Sequence, residues 1–160
     1  FEPHSIYTER LAKRGELITH HKDNAVLTLL NLNSVIEKDL KPVHPDSSLG
    51  DLVKIISKSK RNIFPVVDED QVLYGIVLLD NVREIIFNPE MYDSTKVSDL
   101  MISPPALIDI NIAMTEVMKK FEESDAWNLP VVNDGKYVGF VSKAKIFNQY
   151  RKLLVQFSDE

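Results

Sequence analysis

Leu49, Leu52, Val53 and Ile56 fall at i, i+3, i+4 and i+7, the spacing that gathers apolar side chains on one face of a helix. Ser47 and Ser48 stand just before that face. A hydroxyl there can accept a hydrogen bond from an unpaired first-turn amide, so the helix is predicted to start beside them. Residues 63–67 form a short apolar run rich in β-branched side chains, which predicts a buried strand. The polar Asp68-Glu69-Asp70 predicts a turn, with residues 72–78 returning as the second strand of a hairpin. Residues 80–87 predict a short helix, stopped by Asn88-Pro89.

The same series recurs further along. A constant offset of 65 carries Leu49 to Met114, Leu52 to Val117, Val53 to Met118 and Ile56 to Phe121. It also carries Val43 to Ile108, and Pro65-Val66-Val67 onto Pro130-Val131-Val132. One turn residue is then lost, and Gly75-Ile76-Val77 falls on Gly139-Phe140-Val141. Apolar matches arise by chance, but a register kept through both a proline and a glycine marks an internal repeat. The second copy predicts a helix over 113–124, strands over 128–132 and 136–141, and a helix over 143–156. Its Asn133-Asp134-Gly135 turn tolerates positive φ and is a strong hairpin signal. A single unit of this kind leaves an apolar sheet face uncovered. The predicted fold is therefore α/β (α+β), with two pseudo-symmetric β-α-β-β-α units packed sheet to sheet and a cleft where the halves meet.

Composition narrows the function. Of the 160 residues 44% are hydrophobic, enough for a core. No apolar stretch reaches the roughly 18–20 residues that span a bilayer, and the longest uncharged run, from Asn24 up to Glu37, is broken by Thr28, Asn31, Asn33 and Ser34. The opening Phe1-Glu2-Pro3-His4 has neither the basic nor the apolar region of a signal peptide, as expected of numbering that starts inside a longer protein. A net charge of −5 argues against general nucleic-acid binding, and the short basic cluster Lys54, Lys58, Lys60 and Arg61 reads as a solvated helix end. The absence of cysteine excludes disulfides and zinc-thiolate sites and suits a reducing compartment. His4, His20, His21 and His44 lack metal-ligand spacing. Asp68, Glu69 and Asp70 read as turn carboxylates, and neither a Gly-x-Ser-x-Gly turn nor a glycine-rich phosphate loop occurs. A non-enzyme with no catalytic residues is expected. Trp127, the one tryptophan, is expected to pack in the core or at the rim between the halves, with a subunit interface as the alternative.

The two Pro-Val-Val stretches with their acidic turns, each followed by Gly75-Ile76-Val77 or Gly139-Phe140-Val141, resemble the CBS motif. Two in tandem look like a Bateman module. The resemblance implies a linker over 1–31, one CBS motif over 32–92 and a second over 93–160. In the linker, Ser5-Ile6-Tyr7-Thr8, Leu11-Ala12-Lys13-Arg14-Gly15 and Ala25-Val26-Leu27-Thr28 resemble the segment that joins the last membrane helix of prokaryotic CLC proteins to their CBS pair. That implies a regulatory module on the cytoplasmic face of a membrane, beside the membrane domain of a chloride channel or exchanger. The family further implies a homodimer through the CBS helices. Periodicity does not tell whether Leu52 and Val117 face such a partner or their own core.

Many CBS pairs bind adenine nucleotides in the central cleft, so the resemblance implies ATP, ADP or AMP as candidate ligands, with no required cofactor. The family pattern is Gly, two apolar residues, Ser or Thr, two variable residues, then Asp. In the first copy the hydroxyl position is Leu78 and the Asp position is Asn81; in the second they are Ser142 and Lys145. Lys145 accepts no hydrogen bond from a ribose, though it could pair with a phosphate. Arg61, four residues before Pro65, marks where related transporters place a flat side chain against adenine. Val43, Ile63 and Ile108 complete the candidate site. The alternative at Ser142 is a plain helix cap, which would leave a ligand-free dimerisation scaffold.

Overall fold

A computed structural model describes residues 29–158 of the chain. The segments resembling the CLC linker, and His4, His20 and His21 with them, lie outside the described residues. After a single helical turn (α1, Leu32–Val35), the first copy runs through α2 (Leu49–Lys58), β1 (Ile63–Val67), β2 (Leu73–Leu78) and α3 (Leu79–Val82). Two 3-10 turns and α4 (Val97–Leu100) lead to the second copy. That copy comprises β3 (Ile108–Asp109), α5 (Met114–Ser124), β4 (Asn128–Asn133), β5 (Lys136–Ser142) and α6 (Lys143–Ser158).

Local chemistry explains most boundaries. Of the two candidate caps it is Ser48 that starts α2: its Oγ accepts from Asp51 N at 3.1 Å while Asp51 Oδ2 accepts from Ser48 N. β1 and β2 pair antiparallel, as do β4 and β5, each pair with one register shift inside its Val-Val. Asp134 and Gly135 turn the second hairpin at φ 55° and 81°, the left-handed region that the Asn-Asp-Gly sequence tolerates. The first hairpin turns differently, with Gln71 at φ 67° and Asp68 Oδ1 accepting from Asp70 N and Val72 N. The helix predicted over 80–87 stops after one turn, at Val82, and continues as 3-10 turns. Leu78, at its N-cap position, offers no side-chain acceptor. The leading strand of each copy pairs parallel with the strand after the helix. In the second copy this is β3 beside β4, whereas in the first it shrinks to one bridge, Val43 to Val66.

Each copy has its own core. Leu49, Leu52, Phe64, Val66 and Val77 fill the first; Val117, Phe121, Leu129, Val131, Val141 and Ile146 fill the second. Leu52 and Val117 are fully buried within the chain, so these two positions serve the core. A third cluster, Leu40, Ile76 and Phe140 with Ile63, Leu78 and Tyr137 against it, joins the two sheets. The repeated glycines belong to this junction. A Cβ on Gly75 would sit 2.7 Å from Ile102 O, and one on Gly139 would sit 2.6 Å from Glu37 O. The same close approaches form the bridges Ile76–Ile102 and Phe140–Glu37, so only glycine fits at either place.

Candidate ligand cleft between the halves

Where the copies meet, a cleft of about 870 Å³ opens. One wall is the stretch leading into β1, Lys60 to Ile63, with Ile76 and Leu78 of β2. The facing wall is the end of α5 and the stretch leading into β4, Ser124 to Asn128, and Ile102, Ser103 and Pro105 also line the cleft. These two lead-in stretches are equivalent by backbone as well as by sequence. Leu79 N donates to Asn62 O and Lys143 N donates to Trp127 O, each at 2.9 Å. A second cavity of about 600 Å³, between Leu29–Leu32 and the start of α5, is lined without a charged side chain.

Arg61 stands in the cleft wall with its side chain 27% exposed. Its Nη2 donates to Glu37 Oε2 at 2.7 Å, and its Nη1 lies 3.6 Å from Asp39 Oδ2. Ile63, at the start of β1, also lines the cleft. Val43 and Ile108 are buried in the two cores, at 2% and 0% exposure, as the equivalent parallel partners of Val66 and Val131. Asn81 is exposed on α3 and does not line the cleft; its neighbour Asp80 does, ion-paired with Arg83 at 2.6 Å. Ser142 Oγ accepts from Lys145 N at 3.0 Å, so the hydroxyl caps α6, and Lys145 is half-buried behind it. The cleft thus brings Arg61 and Ile63 together, apart from the other five candidates.

The structure decides between the two places expected for Trp127 and adds a residue the sequence did not single out. Trp127 is on the rim and not in the core: it is 70% exposed and lines the cleft, with Lys143 Nζ 5.3 Å from its ring centroid. Its counterpart at an offset of 65 is Asn62, so the repeat gives no warning of an aromatic. Asp80, one residue before the position the family pattern marks, lines the cleft, as does Asp125 on the facing wall.

Among the described residues no group of His, Asp or Glu is placed to hold a metal ion. His44 is occupied otherwise: its Nδ1 accepts from Asp46 N, which leaves Nε2–H to donate to Glu69 Oε2 at 2.6 Å. That bond is the main reason the Glu69 carboxyl sits below its ordinary pKa. Asp68 is likewise held low, chiefly by the Val72 amide, and in turn it raises the Tyr74 phenol whose hydroxyl donates to it. Burial, with the Asp39 carboxylate second, pushes the Tyr137 phenol well above its usual value.

A duplicated α/β unit with a cleft where the copies meet defines a tandem module. The chain belongs to the CBS domain family, which matches it over residues 32–88 and 97–152. It is 32% identical over 94 residues to the A-adding tRNA nucleotidyltransferase of Aquifex aeolicus, covering 54% of this chain and 11% of that one. It is 25% identical over 138 residues to CBSX1, a chloroplastic CBS domain-containing protein of Arabidopsis thaliana, covering 69% and 58%. The chain thus spans less than two thirds of the length of these relatives. Among solved structures, a CBS domain protein of Streptococcus pneumoniae superposes with a TM-score of 0.72 at 19% identity, covering 87% and 98%. CbpB in complex with c-di-AMP gives 0.70 at 16% identity, covering 87% and 96%. The CBS domain of a bacterial CNNM/CorC family Mg2+ transporter, in complex with ATP, gives 0.68 at 14%, covering 87% and 97%. At such identities these structures share the fold. No helix among the described residues is long and apolar enough to cross a membrane.

Proposed function

We propose that this CBS pair is a regulatory, non-catalytic module that takes an adenine nucleotide into the cleft between its halves and passes its occupancy to a membrane transport domain. The observation that carries the reading is the cleft itself. Its volume of about 870 Å³ suits a nucleotide-sized ligand, and Lys60, Arg61 and the exposed Trp127 ring offer charge and a stacking surface. Two proteins of the same fold, solved with c-di-AMP and with ATP, support the ligand class, and the second belongs to a transporter. The finer assignment, to the cytoplasmic side of a CLC-type chloride channel or exchanger that dimerises through its CBS pair, rests on the residues at 5–8, 11–15 and 25–28.

Calorimetric titration of the fragment with ATP, ADP and AMP tests the ligand, repeated on Ser142→Ala, Lys145→Ala and Trp127→Ala. Micromolar binding that weakens in Trp127→Ala is the expected result. Silence up to millimolar nucleotide leaves a dimerisation scaffold. Asn81 and Lys145, standing where the family pattern has Asp, favour that second reading. Chloride flux through the reconstituted parent, with and without residues 32–160, tests the transport assignment; a parent without an apolar transport domain overturns it.

A further inference from the structure

Two equivalent bridges, Ile76–Ile102 and Phe140–Glu37, tie a preceding segment to each sheet. The segment after each bridge differs in charge. At an offset of 65, Glu37 matches Ile102, Lys38 matches Ser103 and Leu40 matches Pro105. The segment 102–105 is uncharged and borders the open cleft. Its counterpart supplies the Glu37 and Asp39 carboxylates, and both reach Arg61, a residue of that same cleft. Arg61 matches Ala126, so the chain carries one such cation where the symmetry has two places.

We infer that Arg61 exchanges partners: an anionic ligand in the cleft competes with Glu37 and Asp39 for its guanidinium, and their release carries occupancy to the N-terminal segment. The inference rests on the proposed nucleotide reading and adds its regulation. Glu37 is 17% exposed, so losing Arg61 would leave a poorly solvated charge unless another donor stood near. The exchange calls for one: the Tyr137 hydroxyl is buried without a hydrogen-bond partner among the described residues, and the Asp39 carboxylate and the Arg61 guanidinium are the charges felt there. Glu37 also joins two structures, since it follows α1 closely and its backbone amide and carbonyl both bond to Phe140. Freeing its side chain loosens the point where the segment before residue 32 enters the fold.

Titration with ATP and with inorganic tripolyphosphate, on the wild-type chain, Glu37→Gln, Asp39→Asn and Arg61→Ala, tests the exchange. Removing either carboxylate charge is expected to tighten binding, by about fivefold or more for Glu37→Gln, and adding Arg61→Ala to abolish that gain. ATP is expected to speed amide exchange at residues 36–40 in the wild-type chain. Asp39 is 67% exposed, so Asp39→Asn preserves the fold even if Glu37→Gln does not. Equal ATP affinity in the wild type and both amide variants overturns the exchange and leaves nucleotide binding standing. Tripolyphosphate binding that tightens in the amide variants, with no response to ATP, supports the exchange and removes the nucleotide. Silence toward both probes in every protein overturns both.

Discussion

At one junction between the copies, Ile76 pairs with Ile102 and a neutral stretch follows; at the other, Phe140 pairs with Glu37, and Asp39 adds a second carboxylate just beyond it. The backbones match down to the glycine that permits each close approach. The side chains have diverged: the neutral stretch borders the open cleft that Arg61 and Trp127 share, while the charged one holds the Arg61 guanidinium. A duplicated fold can therefore keep its symmetry in the main chain, where a clash is costly, and lose it in the groove, where substitution costs little.

Unequal truncation of equivalent positions is the strongest way to probe that difference. Phe121 is fully buried in the second core, while its counterpart Ile56 only packs partly against the first. In chemical denaturation Phe121→Ala should lose about 3–5 kcal/mol and Ile56→Ala less than about 2 kcal/mol; equal losses would contradict the unequal cores. The glycines should show the reverse. Gly75→Ala and Gly139→Ala each drive a Cβ onto a carbonyl oxygen, so each should cost about 1–3 kcal/mol, by similar amounts. A large disparity in melting temperature would break the equivalence of the two bridges. A double-mutant cycle between Arg61 and Glu37 should give a coupling of about 1 kcal/mol, both groups being largely shielded. The cycle with Asp39 should give less, at 3.6 Å and 67% exposure.

The smallest effect separates the hairpins. Asp68 is held below its ordinary pKa by the Val72 amide first. Its contribution is therefore present above the usual carboxylate range and lost as pH falls through the lower folded-state value. Acid should speed amide exchange at Val72 before it does so at Gly135, where φ is set by glycine and not by a carboxylate. Asp68→Asn should abolish the difference, and its persistence would assign it elsewhere.

Most of the backbone is legible in the sequence because its determinants are local or repeated. The Leu49–Ile56 stripe, the Ser48 cap and the Asn133-Asp134-Gly135 turn each act within a few residues, and the fixed offset joins the copies without knowledge of any contact. The helix expected over 80–87 is one turn long and gives way to 3-10 turns, and its start lacks a cap acceptor. Arg61 and Ile63 are legible as cleft residues and Trp127 as a core or rim residue, but Asp80 is not, because exposure at a groove depends on what stands opposite. Periodicity and turn chemistry thus determined the elements, their order and the duplication. Tertiary structure alone decided why Gly75 and Gly139 must be glycine, which side chains line the cleft, and that Arg61 meets a carboxylate 24 residues away. Those outcomes depend on distances between segments remote in sequence, and local pattern carries no information about such distances until the two sheets have packed.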